Sequence, residues 1–238
     1  MKISNSISRL TSYYTRHGFG ATFRRGGLAV KRVLFSNRMV VFYHDLSMQT
    51  NAPVNIPNSL HMDRLKSYAE LSARDLQDMT SFWNPEVAHQ NIRERFEQGA
   101  SLWLIKSGDH LAGYGWTLQG ATIEPHYFPL AQDDVHFFDF HVFPQYRGNG
   151  VNPVLVSHIL RSVAAECSGR AYIEAAEWNK AQLASLAKTP FRRLGLARKS
   201  KIFHRTIVCW AKNEPLQKVQ KDAERRERAS TLASSHQR

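Results

Sequence analysis

The feature that most constrains this chain is a glycine-rich turn between a strand-like run and a helix-like run. The turn reads Gln145-Tyr146-Arg147-Gly148-Asn149-Gly150; it follows the apolar run 135–143 and precedes the run 151–165. The first N–H groups of a helix lack an internal acceptor and carry partial positive charge, and glycine lets the backbone approach a ligand closely. The pattern therefore predicts a phosphate or pyrophosphate site, with Arg147 as an added cation. An ordinary strand-to-helix turn is the alternative, because short glycine motifs often occur without a ligand.

Two other nucleotide-binding motifs do not fit this turn. No Lys-Ser or Lys-Thr pair follows the glycines, as a nucleoside-triphosphate loop requires. The three-glycine dinucleotide fingerprint is not met either.

The stretch 142–150 resembles the acyl-CoA motif of the GNAT superfamily of N-acetyltransferases, whose core pattern is Gln/Arg-x-x-Gly-x-Gly/Ala. The preceding Val-x-Pro is also typical of that family. Downstream, Asn179 ends a second strand-like run, and Phe191-Arg192-Arg193-Leu194-Gly195-Leu196 resembles the family's last helix and its closing Gly-Phe. The resemblance covers roughly residues 60–208. It implies an α/β fold: a mixed sheet with splayed central strands and helices on both faces.

The resemblance also implies the co-substrate and the residues that hold it. Acetyl-CoA is expected as the acetyl donor, a primary amine as the acceptor, and no metal. Backbone groups near Phe140 and Val142 would pair with the pantetheine arm, and the turn would bind the pyrophosphate. The full set expected at the CoA site is Phe140, Val142, Gln145, Tyr146, Arg147, Gly148, Asn149, Gly150, Val151 and Asn179.

Three side chains are candidates for the base that deprotonates the amine. Asp139 is favoured, because burial in an aromatic strand would raise its pKa toward a useful range. His141 and Glu174 are the alternatives. Each also has a structural interpretation: Asp139 as a hydrogen-bond acceptor for a neighbouring loop, His141 as a satisfied strand histidine, and Glu174 as a solvent-facing residue.

The acid that would protonate the departing CoA thiolate is not evident. Many family members place a tyrosine four residues before the glycine of the last helix, and that position is Phe191 here. Tyr127, Tyr146 and Tyr172 are possible replacements. A non-catalytic acyl-CoA-binding module therefore stays an alternative. An acyltransferase that uses a longer acyl chain or an acyl carrier protein is another.

A second group of side chains offers metal ligands. Asp133, Asp134, His136, Asp139 and His141 cluster in sequence, but their spacing matches no closed structural site. We therefore expect no metal.

Charge and cysteine content suggest the cellular setting. The chain of 238 residues carries a formal charge of +12, and its first forty residues hold eight basic side chains and no acidic one. We expect this basic segment, residues 1–35, to dock on the domain or to lie on an anionic membrane surface, with nucleic acid the least favoured partner. Two cysteines and no secretory signal favour the cytoplasm, including the inner face of the membrane. An amino sugar, on a nucleotide or lipid carrier in envelope synthesis, is the first guess for the acceptor.

Three segments are predicted: a basic extension (1–58), the catalytic domain (59–210) and a charged tail (211–238). Periodicity and cap signals predict helices starting after Ser72 and at Pro85, then a hairpin over 101–118. In the central strand, alternation places Phe138, Phe140 and Val142 on one face and Phe137, Asp139, His141 and Phe143 on the other. The last helix is predicted over 180–194, interrupted at Pro190 and capped by Gly195.

Overall fold

A computed structural model describes residues 38–48, 57, 59–81, 85–123, 126–202 and 205–211 of the chain. The helices predicted within 1–35 and nearly all of the tail, 212–238, lie outside these residues. None of the described helices is long and apolar enough to cross a membrane.

Strands and helices alternate along the described chain. The strands are β1 (Arg38–Asp45), β2 (Leu60–Leu65), β3 (Ser101–Ser107), β4 (His110–Gln119), β5 (Val135–Val142), β6 (Arg170–Ala176), β7 (Arg192–Ile202) and β8 (Arg205–Trp210). The α-helices are α1 (Ala73–Thr80), α2 (Pro85–Glu97), α3 (Val151–Ala164) and α4 (Lys180–Leu186). Short 3-10 helices lie at Tyr68–Glu70 and Pro144–Tyr146.

The strands form one mixed sheet in the order β2-β3-β4-β5-β6-β1-β7-β8. All neighbours are antiparallel except β5 and β6, which are parallel. This parallel pair is short: it runs from Val135↔Ala171 to Phe137↔Ile173 and stops there. The two central strands therefore diverge beyond Phe137, as the predicted fold requires.

Helices cover both faces of the sheet. On one face, the apolar side of α3, including Leu155, Ile159 and Val163, packs with Phe137 and Ile173 of the central strands. On the opposite face, residues of α1 and α2 such as Met79, Ile92 and Phe96 pack against β3 and β4.

Among the described residues, a loop covers a further part of that second face. Tyr127, in the long connection between β4 and β5, packs with Val41, Tyr172 and Leu194. Phe128, Leu130 and Trp210 extend this cluster. The connection therefore forms part of the fold around β6, β1 and β7.

The predicted helix starts are confirmed where the structure describes them. Ser72 caps α1, since its Oγ accepts a hydrogen bond from Asp75 N at 3.1 Å. Helix α2 begins at Pro85, where a missing N–H costs nothing. The predicted hairpin is present as β3 and β4.

The sheet starts earlier in the chain than the predicted domain boundary at residue 59. Strand β1 lies inside the sheet and pairs with β6 from Met39↔Ala176 to Asp45↔Arg170, and with β7 on its other side. The sequence indicates a β-prone run here but not its position, because strand order depends on pairing with residues more than a hundred positions away. Residues 38–48 thus belong to the domain and not to the extension.

The predicted alternation of β5 is wrong beyond Phe138. Asp139 has φ +49°, and the pairing of β4 with β5 shifts register between Tyr114 and Trp116. This bulge turns Phe140 to the face of Phe137, and their rings stack at 6.2 Å. His136 and Phe138, whose rings stack at 5.3 Å, share the opposite face.

The predicted last helix is too long. Helix α4 ends at Leu186, and Arg192 already pairs with β1 in strand β7. Pro190 has no N–H to continue a helix. The chain after it pairs with β1 as strand β7. Gly195 is therefore not a helix cap; it lies within β7 opposite Val41.

Candidate active site

A cleft of about 560 Å³ opens where β5 and β6 diverge. Its walls come from the end of β5, the glycine turn, the start of α3 and one side of α4. A volume of this size is typical of small-molecule and cofactor sites. The cleft therefore lies where the sequence predicts the acyl-CoA site.

The turn before α3 leaves room for a ligand against its backbone. Gly148 has φ +86° and Gly150 has φ +74°, conformations that side chains with a Cβ rarely adopt. A Cβ at either position would meet no atom within 4 Å, so this face of the turn is open. Gly150 caps α3, whose first N–H groups lack acceptors inside the helix. The geometry suits a phosphate or pyrophosphate.

The edge of β5 that faces β6 is available for hydrogen bonds. Within the described chain, β6 pairs with no residue of β5 after Phe137. Phe140, His141 and Val142 line the cleft along this edge. The Nε of Arg147 donates to the Val142 carbonyl at 3.0 Å and so holds the turn against the strand.

Helix α4 forms the other wall of the cleft. Asn179 caps this helix, since its Oδ1 accepts from Gln182 N at 3.2 Å. Ser185 and Lys188 lie further along the same wall, and Asn152 of α3 donates to Ser185 Oγ at 2.8 Å. Lys188 places a cation at the cleft.

Most residues predicted for the CoA site are gathered in this cleft. Those that line it are Phe140, Val142, Tyr146, Arg147, Gly148, Gly150, Val151 and Asn179. Gln145 and Asn149 are exposed in the turn and are not part of the lining. Gln182 and Ser185 of α4, and Lys188 just after it, also line the cleft; they carry no motif that would have identified them in the sequence.

Glu174 lies directly beside the point of divergence, paired with a histidine. The Nε2 of His136 is 3.0 Å from one Glu174 carboxylate oxygen and 3.2 Å from the other. His136 shares a face with Phe138, so the pair lies on the sheet face opposite α3. Burial alone would raise the pKa of Glu174, but the His136 hydrogen bond and the nearby His136, His126 and Lys199 charges outweigh it and lower the pKa. Glu174 is therefore a carboxylate at neutral pH and does not face solvent.

Asp139 is partly exposed and paired with an arginine, whereas the sequence predicts a buried carboxyl group. Its side chain is 42% exposed, and Oδ2 accepts a hydrogen bond from Arg95 Nη1 at 2.5 Å. The premise that Asp139 is buried is wrong, because the bulge turns it outward to helix α2.

His141 lines the cleft and is held by aromatic contacts. Its ring stacks on Tyr114 at 5.5 Å and meets Phe143 edge-on at 5.1 Å. Burial and the Arg147 charge lower the pKa of His141, against a smaller opposite effect of Asp139. The imidazole is accordingly neutral at physiological pH.

Phe191 is not at a helix position next to the cleft. It is 7% exposed, immediately before β7, and meets Phe137 edge-on at 5.4 Å. Of the three tyrosines proposed as the acid, Tyr146 lines the cleft. Tyr127 and Tyr172 are buried in the cluster on the other face.

The described structure does not bring the five possible metal ligands noted in the sequence together. Asp134 accepts from the backbone of Ala131 and Arg170, and Asp139 pairs with Arg95. A different set, His126, His136 and Glu174, has ligand atoms within 4.8 Å of one another. In that set, His136 Nε2 contacts the Glu174 carboxylate.

The chain matches the acetyltransferase (GNAT) family over residues 68–191. No curated protein matches it in sequence. An acetyltransferase of the GNAT family from Colwellia psychrerythraea is 14% identical with a TM-score of 0.50, over 73% of this chain and 55% of that one. At this identity, the similarity shows the fold alone.

Two further solved structures are similar at lower scores. One, from Novosphingobium aromaticivorans and assigned to the GNAT family, is 13% identical with a TM-score of 0.43, over 67% of this chain and 61% of that one. The other, from Salmonella typhimurium, was solved with its cofactor acetyl-CoA; it is 14% identical with a TM-score of 0.42, over 64% of this chain and 91% of that one. Of the Colwellia protein described above, the chain spans a little over half the length, 55%.

Proposed function

The chain belongs to the acetyltransferase (GNAT) family, whose members use acetyl-CoA, and we propose that it transfers the acetyl group to a primary amine with His136 and Glu174 as its base. The observation that carries this proposal is the position of the His136–Glu174 pair, on the sheet face opposite α3 and beside the point where β5 and β6 diverge.

The cleft residues fit acetyl-CoA, which supplies the acetyl thioester when bound. An open glycine backbone at a helix start suits the pyrophosphate, and Arg147 and Lys188 add positive charge. The open edge of β5 at Phe140 and Val142 offers backbone hydrogen bonds to an amide-bearing arm. Such fixed donors can also stabilise charge that develops on a carbonyl oxygen.

His136 and Glu174 have different roles in the proposed base: His136 accepts the proton, and Glu174 orients it. In the tautomer whose Nε2–H donates to Glu174, the imidazole of His136 has its lone pair on Nδ1. Nδ1 is buried and has no hydrogen-bond partner among the described residues. The carboxylate fixes this tautomer and stabilises the imidazolium that forms when His136 takes a proton from the amine.

The deciding experiment compares Glu174→Gln and His136→Gln with the wild-type enzyme. CoA release is followed with acetyl-CoA and a panel of amines, and mass spectrometry identifies the acetylated product. Both variants are expected to lower kcat by about 10² or more while acetyl-CoA affinity stays unchanged. Glu177→Gln is the matched control, because Glu177 forms a half-exposed ion pair with Arg38 just beyond the end of β6. Wild-type kcat in both active-site variants would remove the pair from the mechanism.

The same panel separates the alternatives. Acetyl-CoA binding without CoA release for any amine would favour the non-catalytic module. Preference for longer acyl-CoA donors would favour the alternative of an acyltransferase that uses a longer acyl chain. An amino-sugar acceptor and attachment to the membrane both depend on residues 1–35, outside the described chain, and stay predictions.

A further inference from the structure

A second pocket lies on the same face of the sheet as the His136–Glu174 pair. It has a volume of about 380 Å³ and is formed by the connection between β4 and β5. Its lining consists of Gly120, Ala121, Thr122, His126, Tyr127, Phe128, Pro129 and Leu130. A volume of this size accommodates a small molecule.

His126 joins this pocket to the proposed base. It lines the pocket, and one of its ring nitrogens lies within 4.8 Å of a His136 ring nitrogen and a Glu174 carboxylate oxygen. The His126 and His136 rings are 5.0 Å apart. Both His126 nitrogens are buried and have no hydrogen-bond partner among the described residues. A molecule in the pocket would therefore be separated from the proposed base by a single histidine ring.

The chemistry of the walls limits what the pocket can hold. Its described lining contains no charged side chain, and apart from Thr122 and His126 it is apolar or aromatic. Burial lowers the pKa of His126 to about 4, so this histidine is neutral at physiological pH. A phosphate or a ring of hydroxyls would lose its hydration here with few partners to replace it.

Two charges near the pocket act in opposite directions. Glu174 would attract the ammonium form of an amine. Lys199, whose Nζ lies 4.1 Å from the centre of the Tyr127 ring, would repel a second cationic group. A single amine is therefore favoured over a polyamine.

We infer that this second pocket holds the acceptor, a monoamine on an uncharged apolar or aromatic body, with its nitrogen directed past His126 to the His136–Glu174 pair. The inference rests on the proposed function and specifies its substrate class. It differs from the amino-sugar acceptor suggested by the basic N-terminal segment.

The first test is a competition among acceptors at saturating acetyl-CoA. 2-Phenylethylamine is compared with glucosamine, glucosamine 6-phosphate, spermidine and phenylalanine, the last of which adds only a carboxylate to the same body. The expected kcat/KM for 2-phenylethylamine is about tenfold or more above each of the others. Preference for any of the four overturns the inference but leaves N-acetyl transfer intact. No CoA release with any amine would instead contradict the proposed function itself.

The second test narrows the pocket without touching the core. Ala121 is exposed and lines the pocket, so Ala121→Trp is expected to raise the KM for 2-phenylethylamine about tenfold, to affect methylamine less and to leave the KM for acetyl-CoA unchanged. Ala165→Trp makes the same change at an exposed alanine after α3, away from both pockets, and should alter none of these values. Equal KM values for 2-phenylethylamine in both variants would place the acceptor elsewhere.

Discussion

Arg95 and Asp139 join helix α2 to the bulge of the central strand. The Arg95 guanidinium donates to the Asp139 carboxylate and also lies 5.2 Å from the centre of the Trp116 ring. Asp139 is the one described residue other than glycine with a positive φ. Asn and Asp tolerate this conformation better than most residues. The ion pair thus holds the backbone that turns Phe140 toward the cleft.

Asp139→Asn distinguishes a positioning carboxylate from a catalytic one. The amide tolerates the same φ but loses the charge that pairs with Arg95. We expect kcat within about threefold of wild type and a stability loss of at most about 1 kcal/mol, because the pair is partly exposed. Steady-state kinetics and thermal melting measure both. A loss of kcat comparable to that of Glu174→Gln would restore Asp139 as the base.

Gly150→Val tests the anion site at the start of α3. The new side chain would occupy the open face of the turn and force a strained φ, so acetyl-CoA affinity should fall at least about tenfold. Calorimetric titration measures it. Gly108→Val is the matched control: Gly108 has φ +56° and open space around it, but lies in the β3–β4 turn. If both variants bind acetyl-CoA equally well, the turn is not the site.

The sequence predicts the parts of this site that depend on neighbouring residues. The strand, the glycine turn and the helix around Gly148 are contiguous, and periodicity with two glycines is enough to indicate them. The caps at Ser72 and Pro85 are local signals of the same kind. The central parallel pair follows from the order strand, helix, strand.

Features that depend on distant pairing could not be predicted. The position of β1 requires partners in β6 and β7, and the bulge at Asp139 breaks the alternation from which side-chain directions were deduced. The sequence alone indicates His136 only as a possible metal ligand. His136 and Phe138 share one face of β5, and Tyr172 and Glu174 share one face of β6, but the sequence does not show that the two faces are the same. His136 and Glu174 come together only because β5 and β6 pair in the register Val135↔Ala171, and the sequence does not show this register.

Gly115→Ala tests how the bulge shapes the cleft. A Cβ at Gly115 would come within 2.4 Å of the Phe140 ring, which must then move. We expect a stability loss of about 1–3 kcal/mol and a higher KM for acetyl-CoA. The double variant with Phe140→Ala should be less destabilised than the sum of the two single variants. Additive losses in chemical denaturation would show that the ring and the glycine are not coupled.

The stability of the fold should depend on pH through His126. Its folded pKa of about 4 lies below the ordinary value of 6.5, so the unfolded chain binds a proton that the folded chain does not. The contribution of His126 to the free energy of unfolding is fully present well above pH 6.5 and is lost as the pH falls from there toward 4. The loss from this residue is about 2 kcal/mol at pH 5. His126→Phe should flatten the curve between these pH values in denaturant unfolding. A smaller dependence of stability on pH will remain in this variant, because burial also lowers the pKa values of His44, His141 and His158. An unchanged slope in His126→Phe would mean that the histidine is accessible to protons in the folded state.

Tyr146→Phe tests whether a tyrosine supplies the proton for the departing thiolate. Phe191 has no proton to give and is buried, whereas Tyr146 lines the cleft and packs against the apolar clusters of both sheet faces. The substitution keeps that packing and removes only the hydroxyl, so acetyl-CoA affinity and melting temperature should not change. If the hydroxyl is the acid, kcat falls about tenfold or more.

Tyr68→Phe is the control for this loss, because Tyr68 packs on Phe96 of α2, outside both pockets. A loss of kcat in Tyr146→Phe that Tyr68→Phe does not show, at unchanged acetyl-CoA affinity, would assign the proton to the Tyr146 hydroxyl. A wild-type kcat in Tyr146→Phe would show that the thiolate leaves without help from this residue.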